Sequence, residues 1–290
     1  ISERLTSSGG WDAVAVASIA FLISHVGAQR PGFQGDEFAT LAASTRSLPQ
    51  LWKMLGDVDV YNGLYYLVMQ AWFSVFPVNE CTARLPSSLA IAVAAAGVVV
   101  LARQTSTRAI ALTSGLVFAV LPRVTWAATE ARVAAMTMAV AVWLTVLCVA
   151  AARRDRPSFW LPYSVAMVGA GVLNAMLLLM VPVHAVAVWT FAATPRAFRH
   201  WATAVACALV GTTPFFLLAM PQASRWVPKR AFGDAITTAL RVLDQQYFDH
   251  GLVSYPVAVV TGAVLIAGLA ACRRSGRRDL NGLLVLAAAW

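Results

Sequence analysis

"LPSSLAIAVAAAGVVVLARQTSTR", Leu85 to Arg108, sets the class of fold. Residues 85–102 form an almost purely apolar run, close to the roughly 20 residues a helix needs to cross a hydrocarbon core. It ends directly on a short loop carrying Arg103 and Arg108. An apolar run that stops on arginine reads as a membrane span entering a basic cytoplasmic loop. The same alternation recurs along the chain, which is 59% hydrophobic and only 12% charged. A soluble domain of this length has no use for so much apolar surface. The fold class is therefore all-α: a polytopic bundle of membrane helices.

The expected spans are 12–28, 85–102, 107–122, 133–152, 159–174, 176–193, 201–220, 255–271 and 281 onward. The first run lacks a cleavage site followed by a soluble domain, so it reads as a span rather than a removable signal. Residues 63–76, "GLYYLVMQAWFSVF", are too short to cross and carry Tyr65, Tyr66, Trp72 and Phe76. They read as an interfacial helix whose rings sit at the membrane–water boundary. Leaving that segment out of the count puts "ARQTSTR", "RRDRP", "TPRAFRH" and "CRRSGRRD" on one side, which satisfies the positive-inside rule at each short basic loop. Counting it as a span would move all of them outside. The chain opens at Ile1 without Met and stops at Trp290 inside "LNGLLVLAAAW". It reads as one membrane domain over 1–290, trimmed at both ends, with a first outer loop at 29–84 and a later one at 221–254.

Net charge +9 follows from those arginine loops, so no nucleic-acid partner is implied. Cys148, Cys207 and Cys272 lie in apolar runs and Cys81 stands alone; no spacing suggests a metal site or a disulfide framework. The four histidines are scattered. No glycine-rich phosphate loop is present, so no nucleotide site is expected. His184 and Asn174, inside expected spans, read as hydrogen-bonding groups between helices.

Most carboxylates gather on the outer segments. "GDEFATLAASTRS" places Asp36 and Glu37 together just beyond the first span. They suit either a helix start, where acids favour the dipole, or a base tuned by partial desolvation at the membrane surface. "LGDVDVYNGLYY" brings Asp57, Asp59 and Asn62 before the interfacial helix. The two aspartates read as turn formers, or as ligands for a divalent cation, the one cofactor the pattern accommodates. "TEAR" sets Glu130 and Arg132 at a mouth between spans, where charge must pair, reach the surface or serve a site. Gln222, Arg225, Trp226, Lys229 and Arg230 suit an anionic lipid phosphate or simple anchoring.

Taken in order, these stretches resemble a known family. "YNGLYYLVMQAWFSVF", "ARLPSSLAIAVAAAGVVVLARQ" and "VLPRVTWAATEAR" are similar to motifs of the GT-C-type polyprenyl-phosphate-sugar-dependent glycosyltransferases, in the protein-mannosyltransferase-like branch. There the interfacial helix reads like "HPPLYYLLLHLW", the next span opens "RLPSAL", and a later junction reads "QEAR". The resemblance runs from Gly35 to Leu144 and continues more weakly to "QASRWVP" and "QQYF". Actinobacterial envelope mannosyltransferases, with "HGLYY", look most similar.

The resemblance implies a GT-C membrane fold and transfer of a sugar, mannose above all, with inversion. The donor would be a polyprenyl-phosphate sugar and the acceptor a hydroxyl of a lipid, glycan or protein. The reaction would sit on the outer face of a bacterial plasma membrane. Asp36 matches the catalytic aspartate and Glu37 its acidic neighbour. Asp59, Asn62, Glu130 and Arg132 would line the substrate cavity, while Gln222, Trp226 and Lys229 would cover the donor. Asn62 replaces a usual histidine, and "VAAM" after Arg132 replaces a usual aromatic. The rival readings are a transporter or lipid flippase, whose ionisable groups would lie near the midplane, and a non-catalytic subunit keeping the same fold.

Overall fold

The computed structural model describes residues 8–28, 30, 32–154, 156–192 and 194–226. Among these the secondary structure is helical, with no strand: α1 (Ser8–His25), α2 (Asp36–Ser44), α3 (Leu48–Asp57), α4 (Gly63–Phe73), α5 (Glu80–Thr105), α6 (Arg108–Val120), α7 (Pro122–Ala128), α8 (Ala134–Arg154), α9 (Trp160–Leu173), α10 (Met180–Phe191) and α11 (Arg196–Trp226). The expected spans 255–271 and 281 onward, and the later outer loop beyond 226, lie outside the described residues.

Among the described residues, three helices are long and apolar enough to cross a membrane: Glu80–Thr105, Ala134–Arg154 and Arg196–Gln222. The predicted span 107–122 corresponds to α6, and α7 continues beyond it across a 61° bend. Leu121 precedes Pro122, and the proline ring drives that residue to extended backbone (φ −61°, ψ 130°), so the helix breaks there and restarts with proline at its first position. The segments Gly10–His25, Pro157–Leu173 and Ala175–Phe191 are apolar but shorter. At 1.5 Å per residue each spans only about 24–26 Å. The loop 29–84 is largely helical, holding α2, α3, α4 and a 3-10 turn at Val60–Asn62.

α5 shows why these boundaries fall where they do. Asn79 caps it, its side-chain oxygen accepting the Thr82 N–H at 3.0 Å while Thr82 Oγ1 accepts the Asn79 N–H at 3.2 Å. Glu80 in the first turn and Arg103 in the last complement the helix dipole. Its buried face is mainly alanine, serine and glycine, so neighbouring helices approach closely. A Cβ on Gly97 would stand 2.7 Å from Val142 Cγ1, and one on Gly115 of α6 would stand 2.5 Å from Val99 Cγ2 and 2.8 Å from Val16 Cγ1. α5 thus packs against α1, α6 and α8, and α8 in turn against α9 and α10. Large apolar side chains such as Val14, Leu22, Val210, Leu217 and Leu218 point outward, as lipid-facing helices require.

Polar ties fix the order of the bundle. Asp12 accepts from Arg108 Nε and Nη2, both at 2.7 Å, joining the starts of α1 and α6. His184 contacts Tyr163 Oη at 2.9 Å through Nδ1 and Thr145 Oγ1 at 3.2 Å through Nε2, linking α10, α9 and α8. Cys81, isolated in sequence, meets His25 Nε2 at 3.6 Å. Arg153 donates to the Gln104 carbonyl, so the basic ends of α5 and α8 meet. The Ser87 hydroxyl donates to the Glu130 carbonyl at 2.7 Å, so their acidic ends meet as well. Arg103, Arg108, Arg153 and Arg154 therefore gather at one end of the bundle, and Asp36, Glu37, Glu80 and Glu130 at the other.

Tyr65 and Tyr66 depart from expectation. Their exposures are 1% and 3%, and they pack with Leu51, Leu55, Met69 and Leu173 instead of facing a membrane boundary. The spacing puts both on the inner side of α4, and α9 covers them. Replacing Gly115 by valine should cost about 1–3 kcal/mol through overpacking, read as a lower unfolding temperature in detergent. Gly169→Ala, where a Cβ meets nothing within 4 Å, should leave that temperature unchanged or slightly raised.

Candidate functional site

Gly35 has φ +43°, a conformation that favours glycine, and α2 begins on the next residue. Asp36 and Glu37 are adjacent, so on a helix they point in directions about 100° apart. One faces out and the other in: the Asp36 side chain is 68% exposed and that of Glu37 2%.

Glu37 is the centre of a buried polar knot. Its Oε1 accepts from Arg84 Nε at 2.9 Å and from the Ala131 N–H at 2.8 Å. Its Oε2 accepts from Arg84 Nη2 at 2.7 Å and from the Gln34 N–H at 3.1 Å. Arg84 also donates to the carbonyls of Ala28 at 2.7 Å and Gly32 at 3.2 Å, with its guanidinium 5.7 Å from the Phe33 ring centre. Burial pushes the Glu37 carboxyl up, but the Arg84 hydrogen bond and the two backbone donors outweigh it and hold it below its ordinary range. The knot joins the chain after α1, the start of α2, the second turn of α5 and the α7–α8 junction.

That junction is pinned through one peptide unit. The Glu130 carbonyl accepts from Ser87 Oγ, and the N–H of the same unit, on Ala131, donates to Glu37. Residues 129–133 form turns between α7 and α8, with the Arg132 N–H donating to the Glu130 carbonyl at 2.9 Å. Glu130 and Arg132, which a regular helix would separate, are thereby brought to the same mouth. Arg132 Nη2 lies 2.5 Å from Asp36 Oδ2, and Arg132 Nη1 lies 3.6 Å from Glu130 Oε2. The second distance is an ion pair too long for a hydrogen bond. Burial lifts the Glu130 carboxyl above its ordinary range; Arg132 pulls against that lift, and the Glu37 charge adds to it.

The turn before α4 adds a further carboxylate. Asp59 takes left-handed backbone, φ +60°, and its Oδ2 accepts from Tyr66 Oη at 3.2 Å. Burial, then the nearby Asp59 and more weakly Asp36, push the Tyr66 phenol up; Asn62 beside it works the other way. Asp57 is exposed, and among the described residues no three His, Cys, Asp or Glu side chains converge to hold a metal ion. Gln222 is buried, and its amide bonds the backbone at residues 55, 56 and 60. The side chain of Trp226, and Lys229 entirely, lie outside the described residues.

The structure thus brings Asp36, Glu130 and Arg132 together, and sets Glu37 apart from them as a buried anchor. Residue-by-residue reading of the sequence passed over Arg84 and Ser87 as site residues. Their signal was present as an arginine and a serine pair inside the opening turns of an apolar run.

A family profile for dolichyl-phosphate-mannose-protein mannosyltransferases matches residues 64–226, more than half of the chain. The protein belongs to that family. Membership makes it a glycosyltransferase of the mannosyltransferase type, and with its apolar helices a multi-pass membrane protein. The matched region contains Arg84, Glu130, Arg132 and Gln222; Asp36, Glu37, Asp59 and Asn62 precede it. No curated protein and no solved structure matches the chain.

Removing Arg84 strands a buried carboxylate, so Arg84→Ala should lower stability by about 3–5 kcal/mol, while the double variant Arg84→Met/Glu37→Leu should lose less. Chemical denaturation in detergent compares them. Because the folded Glu37 carboxyl lies below its unfolded value of 4.5, its contribution is full above that pH and is lost as pH falls through the folded value. Glu37→Gln should flatten the acid limb of the stability profile.

Proposed function

We propose that the chain transfers mannose from a polyprenyl-phosphate donor to an acceptor hydroxyl, with inversion, on the outer face of the plasma membrane. The observation that carries this reading is the Asp36–Arg132–Glu130 cluster on an end of the bundle opposite the arginine loops. Under the positive-inside rule that end is external. Placement in an actinobacterial envelope branch rests on the "NGLYY" resemblance.

In this mechanism Asp36, the exposed member of the acidic pair, takes the proton of the acceptor hydroxyl. The hydroxyl oxygen forms a bond to the anomeric carbon as the bond from that carbon to the phosphate oxygen breaks, and polyprenyl phosphate leaves with the electron pair. Arg132 faces the developing phosphate charge. In the resting site Arg132 holds Asp36, so a donor phosphate that draws Arg132 away would free the carboxylate for the acceptor. Glu37 and Arg84 position Asp36 without touching substrate. Glu130, whose carboxyl is lifted by burial, is the second base candidate.

A transporter reading needs an ionisable group poised near the midplane. His184 lies within a helix of the bundle, but both of its ring nitrogens are already engaged by Tyr163 and Thr145, which supports a structural role. Membranes carrying the full-length protein, given radiolabelled polyprenyl-phosphate-mannose, test the proposal. Wild type should label endogenous acceptors, and Asp36→Asn should lose at least about 100-fold of that rate. Loss with Glu130→Gln alone would move the base to Glu130, and no labelling by wild type would favour a non-catalytic subunit or another donor sugar.

A further inference from the structure

The amide of Gln222 is engaged on a piece of chain more than 160 residues away. Its Nε2 donates to the Leu55 carbonyl at 2.8 Å and the Gly56 carbonyl at 3.2 Å, and its Oε1 accepts the Val60 N–H at 3.0 Å. These three groups bracket Asp57, Val58 and Asp59. The two carbonyls belong to the last turn of α3, which has no continuing helix to satisfy them. The N–H opens the 3-10 turn Val60–Asn62. Only a primary amide offers two donor hydrogens and an acceptor on one planar head, so glutamine suits this bracket where glutamate does not.

The bracketed segment contains the described chain's non-glycine residue with positive φ, Asp59. Aspartate tolerates that conformation better than most residues, yet the conformation persists only where its surroundings impose it. The bond to the Val60 N–H holds the peptide directly after Asp59, and Tyr66 holds its carboxylate. Tyr66 stands in the first turn of α4, and α4 packs against α2, the helix that Asp36 opens, so Asp59 is held on an element that neighbours the one carrying Asp36. Gln222 itself, with 5% exposure, presents no free face of its amide to a ligand.

We propose that Gln222 is a positioning residue: α11 staples the 55–60 turn so that the Asp59 carboxylate stays fixed on the Tyr66 hydroxyl, where it accepts hydrogen bonds from hydroxyl groups of the transferred sugar. This rests on the mannosyltransferase reading above. It also gives Gln222 a different task from covering the donor, since it acts on substrate only through Asp59.

The experiment has two arms, both on the full chain in nanodiscs. In the first, amide hydrogen exchange compares wild type with Gln222→Ala. Exchange should quicken across 55–62 and stay unchanged in α5 and α8. Unchanged exchange at 55–62 overturns the staple whatever the activity. In the second, mannose transfer from polyprenyl-phosphate-mannose is measured for Gln222→Ala, Asp59→Asn and the double variant. Each single change should lower kcat/KM about tenfold, mainly through KM for the donor, and the double should be no worse than the more severe single. Additive losses would overturn the positioning role and leave Gln222 as a structural tie of α11. Wild type inactive with this donor would count against the mannosyltransferase reading and the sugar contact of Asp59, while the exchange arm still decides the staple.

Discussion

A carboxylate and a guanidinium removed together from water are stable only if their remaining oxygens and N–H groups also find partners, because desolvation otherwise exceeds their attraction. Glu37 and Arg84 meet that condition by recruiting backbone from several parts of the chain. Gln34 and Ala131 supply N–H groups, and Ala28 and Gly32 supply carbonyls. The requirement of one buried pair thus fixes the exit of α1, the entry of α2 and the junction before α8 relative to α5. Such an arrangement cannot relax piecemeal, since withdrawing any contributor leaves a buried polar group unsatisfied.

The candidate site is carried on this frame but is not part of it. Asp36 is exposed because its neighbour is buried; one residue of helical rotation separates the two tasks. Arg132 and Glu130 reach Asp36 because the peptide between Glu130 and Ala131 is gripped on both its polar atoms. The cluster is electrostatically soft by comparison, with one short ion pair, one long one, and Asp36 and Arg132 open to solvent beside a half-buried Glu130. Groups that must exchange partners during a reaction belong in such a setting, and the groups that hold them do not.

Reading the chain without coordinates recovers the class of fold well, because lipid imposes a strong rule on composition and arginine loops mark the ends of helices. It also singles out Asp36, Glu130 and Arg132, which the fold brings together, and Glu37, which the fold buries apart from them. What it misses is direction. Nothing in "GDEF" says which acid turns inward, since that depends on where Arg84, 47 residues on, presents its guanidinium. Tyr65 and Tyr66 look like boundary aromatics by composition and are core by packing, because α9, distant in sequence, closes over them. The end of α6 at Leu121–Pro122 is legible, since the expected span stops there and proline forbids its continuation; the short helix α7 that follows carries no such mark. The grip of Gln222 on the 55–60 turn is invisible in one dimension, as no local pattern announces a contact across the whole bundle.

The pinned peptide between Glu130 and Ala131 has a consequence for how such a protein diversifies. Its anchors are main-chain atoms, which every residue type supplies apart from the N–H that proline lacks. The side chains at 130 and 132 can therefore be exchanged while the backbone beneath them stays registered to α5. Side chain and scaffold are separable at this point of the chain, because the grip of Ser87 and Glu37 falls on the peptide unit and not on the side chains at 130 and 132.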